Sequence, residues 1–469
     1  MMRATKQQFK EVNVETTARK RSLYVLFLML FGGLGGILYG YDIGVISGAL
    51  VFMKPQIHLT DNQISFLVAA VLGGGAFATL IAGFIANRIG RKATIFISSI
   101  IFLVGLVIIV DAHSYTAALI GRLIQGAGIG IEMIVLPLYL AETAPSPLRG
   151  RFVTLFQLFL TFGIVLAYSI DLFFAHSENW RGMFACVLIP GVLLLLGTFY
   201  ISESPRWLYL KQQKDKALKA LLRTHSPEEA ARDIQQMAEL ETKKNSVAYQ
   251  NTSIWKKYYL VPFFIALAVA CLNQLTGINS VIQFGTLILQ SSGTSSNILA
   301  MVGTVGIGLL NMLTTVVALL LVDKLGRKFL LSIGTGGVVC ALAFLGIVSM
   351  FATNSPEKSY LVLAGLLAYI MFFAIGPGVV VWLAISELIP TRIRSTGMSV
   401  CLFANSLVSA ILASVFMLLV QHIHYSGTFF FCGAFTAIYF LLAIFVLPET
   451  KNKTLEDIET DFRHKAGVH

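Results

Sequence analysis

Apolar runs of ~20 residues recur along this chain, each long enough to cross ~30 Å of hydrocarbon as a helix. They lie at roughly 24–50, 63–86, 93–111, 115–140, 152–174 and 182–200, and again at 259–290, 297–322, 329–351, 359–385, 396–421 and 426–447. Lipid cannot hydrogen-bond a bare backbone, so spans of this kind must be helices that satisfy it internally. The predicted fold class is therefore all-α integral membrane, with twelve transmembrane helices. Composition agrees, since only 13% of the 469 residues are charged and 56% are hydrophobic, against ~25% charged in a soluble domain. The tail 1–22 has no short apolar core followed by a cleavage site, so the first run is expected to remain as the first span.

The net charge of +11 would suit a nucleic-acid partner only if the 35 Lys and Arg residues were gathered in one patch. Instead they mark every second connection: the N-terminus, Arg88/Arg91/Lys92, Arg149/Arg151, the stretch 201–257, Lys324/Arg327/Lys328, Arg392/Arg394 and the C-terminus. The opposite connections hold Lys54, Arg181 and Lys358. Cytoplasmic loops are basic in this way, so a lipid bilayer is the expected surrounding and no nucleic acid is expected as a partner. Both termini should face the cytoplasm, with the chain in a plasma membrane, a bacterial inner membrane being the natural setting. Cys186, Cys271, Cys340, Cys401 and Cys432 all lie in apolar segments without metal-ligand spacing, so no metal and no cofactor is expected.

The expected organisation is a tail (1–22), a six-helix half (23–200), an intracellular helical segment (201–257), a second half (258–448) and a tail (449–469). Within the intracellular segment, Ser226-Pro227-Glu228-Glu229 reads as a helix start with a capping box. The halves repeat in parallel. Asn87-Arg88-Ile89-Gly90-Arg91-Lys92 matches Asp323-Lys324-Leu325-Gly326-Arg327-Lys328, Glu142 with Arg149 matches Glu387 with Arg394, and Glu203 recurs as Glu449. Parallel repeats place substrate at the midplane between them, and matched Glu and Arg residues are expected to pair across the cytoplasmic face as a gate.

The motifs in order are Gly40-Tyr41-Asp42, the two Gly-Arg-Lys loops, Gly121-Arg122, Pro145 to Gly150, Ser204-Pro205-Arg206-Trp207, Gln274-Leu275-Thr276-Gly277-Ile278-Asn279 and Pro448-Glu449-Thr450. Over essentially its whole length the chain resembles the sugar porter family of the major facilitator superfamily, including its proton–sugar symporters and glucose facilitators. The resemblance implies a transporter rather than an enzyme, moving a monosaccharide with a proton by alternating access. Sugar uniport, polyol or inositol symport, and a sugar-binding sensor are the alternatives.

Asp42 and Arg122 are the proton-coupling pair that the resemblance implies. An isolated charge at mid-membrane costs ~2.5–3.5 kcal/mol, so Asp42 needs a partner or a proton. Sugar hydroxyls need amides and an aromatic face, which makes Gln157, Gln274, Asn279, Asn311, Asn405, Asn273 and Trp382 the candidate binding residues. Gln274 and Asn279 would not share a face of an ideal helix, so Gly277 is expected to break the seventh span between them. Glu132 departs from the family pattern. It could line the cavity, act as a second titrating group, or sit protonated between helices.

Overall fold

A computed structural model describes residues 2–145, 148–244, 257–294, 296–352, 355–390, 393–451, 453, 457–458 and 460–462; the side chains of 2–18, 149, 153, 240–244, 257 and 395 lie outside the described set. The gate candidate Arg149 therefore contributes backbone alone, and Arg392 falls outside the described residues. The first six spans are Arg19–Gln56, Asp61–Ile89, Arg91–Val110, Tyr115–Thr143, Gly150–Ser177 and Trp180–Tyr200. The next four are Tyr258–Ser291, Asn297–Leu325, Arg327–Phe351 and Pro356–Leu388.

The final apolar stretch, Thr396–Phe445, has 50 residues and would extend ~75 Å as one helix, far more than a bilayer needs. It is two spans. His424 has non-helical torsions (φ 59°, ψ 174°), and the chain reverses there. Before it, Gln421 Nε2 donates to Asp61 Oδ2 at the end of the bundle away from the basic motifs. After it, Phe430 packs on Gly346 and Phe440 on Gly336, progressively closer to Arg327. Twelve crossings result, as the hydropathy pattern predicts.

Three spans are interrupted, the sixth at Cys186–Val187 between Trp180–Ala185 and Leu188–Tyr200. The seventh divides at Gly277 (φ 87°) into Lys257–Leu275 and Ile278–Ser291, as expected from sequence. The tenth divides at Gly376, and Pro377 opens its second piece at a position where a missing N–H costs nothing. Short helices Pro205–Leu210, Lys214–Leu221 and Pro227–Lys244 follow the sixth span. Ser226 and Glu229 form the anticipated capping box: Glu229 N donates to Ser226 Oγ at 3.2 Å, and Ser226 N to Glu229 Oε2 at 2.8 Å. This segment rests on the first half, where Trp207 Nε1 donates to Asn87 O (2.9 Å) and the Arg223 guanidinium lies 3.9 Å above the Tyr24 ring.

At the basic end the repeated motifs build the same brace twice. In the first half Glu203 accepts from the N–H groups of Arg91 (2.8 Å) and Lys92 (3.2 Å), capping the third span at its positive dipole end. Arg91 meanwhile forks onto Glu142 through Nε (2.9 Å) and Nη2 (3.0 Å). In the second half Glu449 accepts from Arg327 N (3.0 Å) and Lys328 N (3.1 Å), and Arg327 Nη2 donates to Glu387 Oε1 (3.1 Å). In this conformation Arg91 and Arg327 each pair inside their own half. The cause is local. Gly90 and Gly326 turn at φ 101° and 92°, which points each following N–H pair at the carboxylate of the same half. Arg394 donates to Ser386 O, again within its half.

The halves meet at the other end. Ser47 and Thr286 hydroxyls lie 3.0 Å apart, Thr286 N donates to Ser47 Oγ (3.1 Å), Tyr168 OH to Ile282 O (2.8 Å), and Met417 N to Ser65 Oγ (3.3 Å).

A Cβ at Gly90 would stand 2.2 Å from Glu203 Oε2, in a backbone region that only glycine occupies without strain. Gly90→Ala should destabilise the protein by ~1–3 kcal/mol, lowering its melting temperature in detergent. Gly83→Ala, in a helix with open space at that position, should leave melting unchanged or raise it; equal melting of the two variants would contradict the brace.

Candidate functional site

The first and fourth spans bring Asp42 and Arg122 together inside the first half. Arg122 Nη1 donates to Asp42 Oδ1 at 2.7 Å, and both side chains are buried. Gln125 stands three residues along the same helix face, and its Oε1 accepts from the same Nη1 at 3.1 Å. The Phe184 ring closes the other side, with its centroid 5.6 Å from the guanidinium carbon. Tyr41 beside Asp42 donates its hydroxyl to Met183 O (2.7 Å), fixing the first span against the sixth.

This pair is deliberately incomplete in its geometry. Asp42 Oδ2 and Arg122 Nε and Nη2 are buried without a hydrogen-bond partner among the described residues. A guanidinium–carboxylate contact is strongest as a two-bond fork, which Arg91 makes with Glu142 and Arg122 does not make with Asp42. One carboxylate oxygen thus stays open to a proton while the other holds the guanidinium.

The second constellation joins the seventh and eleventh spans. Gln274 Nε2 donates to Asn405 Oδ1 (3.1 Å), while Asn279 Nδ2 donates to Gln274 Oε1 (3.0 Å) and to Ser409 Oγ (2.7 Å). The break at Gly277 makes this possible, because it turns Asn279 back toward Gln274. Tyr369 of the tenth span supports the break by donating to Thr276 O (3.1 Å). Asn273 is buried next to this chain of amides with Oδ1 unpartnered.

The remaining candidates stand apart from that chain. Gln157 on the fifth span is partly buried, Asn311 on the eighth is buried, and neither forms a hydrogen bond among the described residues. Trp382, partly buried on the tenth span, packs against the second half's apolar core. Sequence reasoning missed Ser409, which an amide at Asn405 four residues earlier on the same face could have signalled, and Gln125, whose spacing from Arg122 was equally available. It also missed Asp171. This buried acid accepts from Gly48 N (3.0 Å) beside the contact between halves, with Oδ1 unpartnered. Glu132 is placed between the third and fourth spans, where Ser99 Oγ donates to its Oε1 (3.1 Å) and Ser98 Oγ lies 3.5 Å away.

Comparison with known proteins decides what kind of site this is. The model of the family described as sugar (and other) transporters matches residues 28–462. The chain belongs to that family. It is 32% identical to the glucose transporter GlcP of Staphylococcus epidermidis, covering 96% of this chain and 99% of the relative. Identity to the galactose-proton symporter of Escherichia coli is 30%, over 94% of this chain and 95% of that protein. Among solved structures, the major facilitator proton:xylose symporter XylE of E. coli, bound to 6-bromo-6-deoxy-D-glucose, superposes with a TM-score of 0.78 at 27% identity. That likeness covers 94% of this chain and 100% of the XylE chain. As in the rest of the family, the chain is a multi-pass membrane transporter and not an enzyme, and its fold is the major facilitator fold.

Removing one member of a buried ion pair strands the other, a loss of ~3–5 kcal/mol in soluble precedents. Arg122→Ala should therefore lower the unfolding midpoint well below that of the double variant Asp42→Asn/Arg122→Gln, which leaves no lone charge. If the single and double variants unfold alike in denaturant titrations, the two side chains are not energetically coupled.

Proposed function

We propose that this transporter imports a monosaccharide together with a proton, by alternating access between its halves. The observation that carries the reading is the buried Asp42–Arg122 contact at 2.7 Å. Protonation of Asp42 removes the charge that holds Arg122, so proton binding and rearrangement of the first and fourth spans are linked. Such linkage is what a coupled carrier requires: the ligand must bind the two conformations unequally. Proton-linked transport by the related galactose-proton symporter and XylE supports the same assignment.

The sugar site in this reading is formed by Gln274, Asn279, Asn405 and Asn273 from the second half, with Gln157, Asn311 and Trp382 completing the cavity walls. The amides are already linked to one another, so sugar hydroxyls replace these bonds one for one. Each exchange is worth little net, ~0.5–1.5 kcal/mol, which suits a carrier that must also release its cargo. Arg91, Glu142, Glu203, Arg327, Glu387 and Glu449, with Arg394 and, by its place in the repeat, Arg149, act as the gate at the basic end. By the positive-inside rule that end is cytoplasmic, as are both termini, and the membrane is the plasma membrane. The hydrogen bonds that join the halves at the opposite end make this conformation inward-open.

Two measurements test the assignment. In proteoliposomes, Asp42→Asn should abolish sugar accumulation driven by an inward proton gradient while counterflow exchange persists; accumulation by this variant would remove Asp42 from coupling, and a wild type that never accumulates sugar would make the protein a uniporter. Separately, Gln274→Ala should weaken calorimetric sugar binding at least ~10-fold, about 1.4 kcal/mol. Unchanged affinity in a folded variant would take Gln274 out of the site.

A further inference from the structure

Glu132, like Asp171, is a buried acid that the coupling pair leaves unused. It lies on the face of the fourth span that packs against the third, one turn beyond Gly128, whose close neighbour is Phe102. Its partners are the hydroxyls of Ser98 and Ser99, one turn before Phe102 on the third span.

Among the described residues no cation reaches it. On its own span the charged residues are Arg122 and Glu142, each ten positions away and so ~15 Å along the axis; Arg122 is bound to Asp42 and Glu142 to Arg91. On the third span Arg91 is the charged group paired below it, and Lys92 donates to Ile201 O (2.8 Å). The second span packs on the glycine face of the fourth through Gly74 and Gly75, and its charged residues, Asp61 and Arg88, sit at its two ends. Asp42 and the tyrosines Tyr39 and Tyr41 of the first span belong to the level of Arg122. A carboxylate so placed, with only hydroxyls for company, is costly to keep charged in hydrocarbon.

The two serines are what make the position more than an isolated acid. Each hydroxyl has one proton and a choice of two acceptors. Ser99 Oγ is 2.8 Å from Ile95 O and 3.1 Å from Glu132 Oε1, while Ser98 Oγ is 2.9 Å from Ile95 O and 3.5 Å from Glu132 Oε1. With both hydroxyls turned to the Ile95 carbonyl, the serine oxygens present lone pairs to Glu132, and a protonated carboxyl can donate to Ser99. With the hydroxyls rotated the other way, both protons face an ionised carboxylate. Rotation about one side-chain bond therefore satisfies either charge state, and Ile95 keeps its ordinary helical acceptor role throughout.

We propose that Glu132 with Ser98 and Ser99 forms a second proton-binding site, separate from the Asp42–Arg122 pair and switched by rotation of the serine hydroxyls. It binds one proton at the carboxyl and releases it unchanged; no covalent step is involved. The proposal stands independently of whether Asp42 carries the coupled proton, because it concerns a different carboxyl in a different interface.

The test is infrared difference spectroscopy of the full-length purified protein across a pH titration, following the stretch of protonated carboxyl groups, with melting curves to verify folding. A titrating carboxyl component should persist in Asp42→Asn and disappear from that background in Asp42→Asn/Glu132→Gln. The Ser98→Ala/Ser99→Ala double variant removes the donors to the ionised form and should move the midpoint of that component upward by about one pH unit, a tenfold gain in proton affinity. Loss of that component in Asp42→Asn, or its survival unchanged in Asp42→Asn/Glu132→Gln, would overturn the second site. A midpoint unmoved in the folded serine variant would overturn the hydroxyl switch, and this variant decides the matter should Glu132→Gln fail to fold.

Discussion

Hydrocarbon offers no hydrogen bonds, and every backbone polar group this chain carries into the membrane has to find its partner within the protein. That constraint makes the spans helical, and it dictates what happens wherever a helix starts or breaks. The third and ninth spans begin with N–H groups that no preceding turn can accept, and Glu203 and Glu449 supply the acceptors. The break at Gly277 frees backbone groups in mid-membrane, and Tyr369 takes up the carbonyl of Thr276. Charges obey the same rule with higher stakes, which is why Arg122 and Asp42 lie 2.7 Å apart.

Partner choice also differs between the two Arg–carboxylate pairs of the first half. The Arg91–Glu142 fork is two-pronged and reinforced by Ser204, which donates to Glu142 Oε2 at 2.5 Å. Arg122 makes one bond to Asp42 and shares it with Gln125. The first arrangement has no spare acceptor for a proton, whereas the second leaves Asp42 Oδ2 uncommitted. Two Arg–carboxylate pairs in the same half thus differ in geometry, and the proposed coupling role falls on the less committed one.

Much of this was legible in the sequence because hydropathy and repetition are local signals. Span number, the capping box at Ser226, the break at Gly277 and the meeting of Asp42 with Arg122 all follow from residue type and spacing. The partners of Glu142 and Glu387 did not follow, since spacing says which residues recur and not which way a glycine turn will aim them. Asp171 escaped notice because it lies near the end of its span, where an acid in sequence looks like a loop residue; only the approach of Gly48 shows it to be buried. The amides were recognised by type, but their connection through Ser409 depends on how the seventh and eleventh spans cross, and no pattern along either span encodes that.

The paired braces at the basic end have a consequence for how such a protein can arise. Glu203 closes onto the turn at Gly90, and Glu449 onto the turn at Gly326, without borrowing any group from the other half. Each brace is complete within six spans and the few residues that follow them. A gene for a single half would already encode it, so duplication and fusion would yield two units that each know their own shape, leaving only the surface between them to be shaped by selection for cargo.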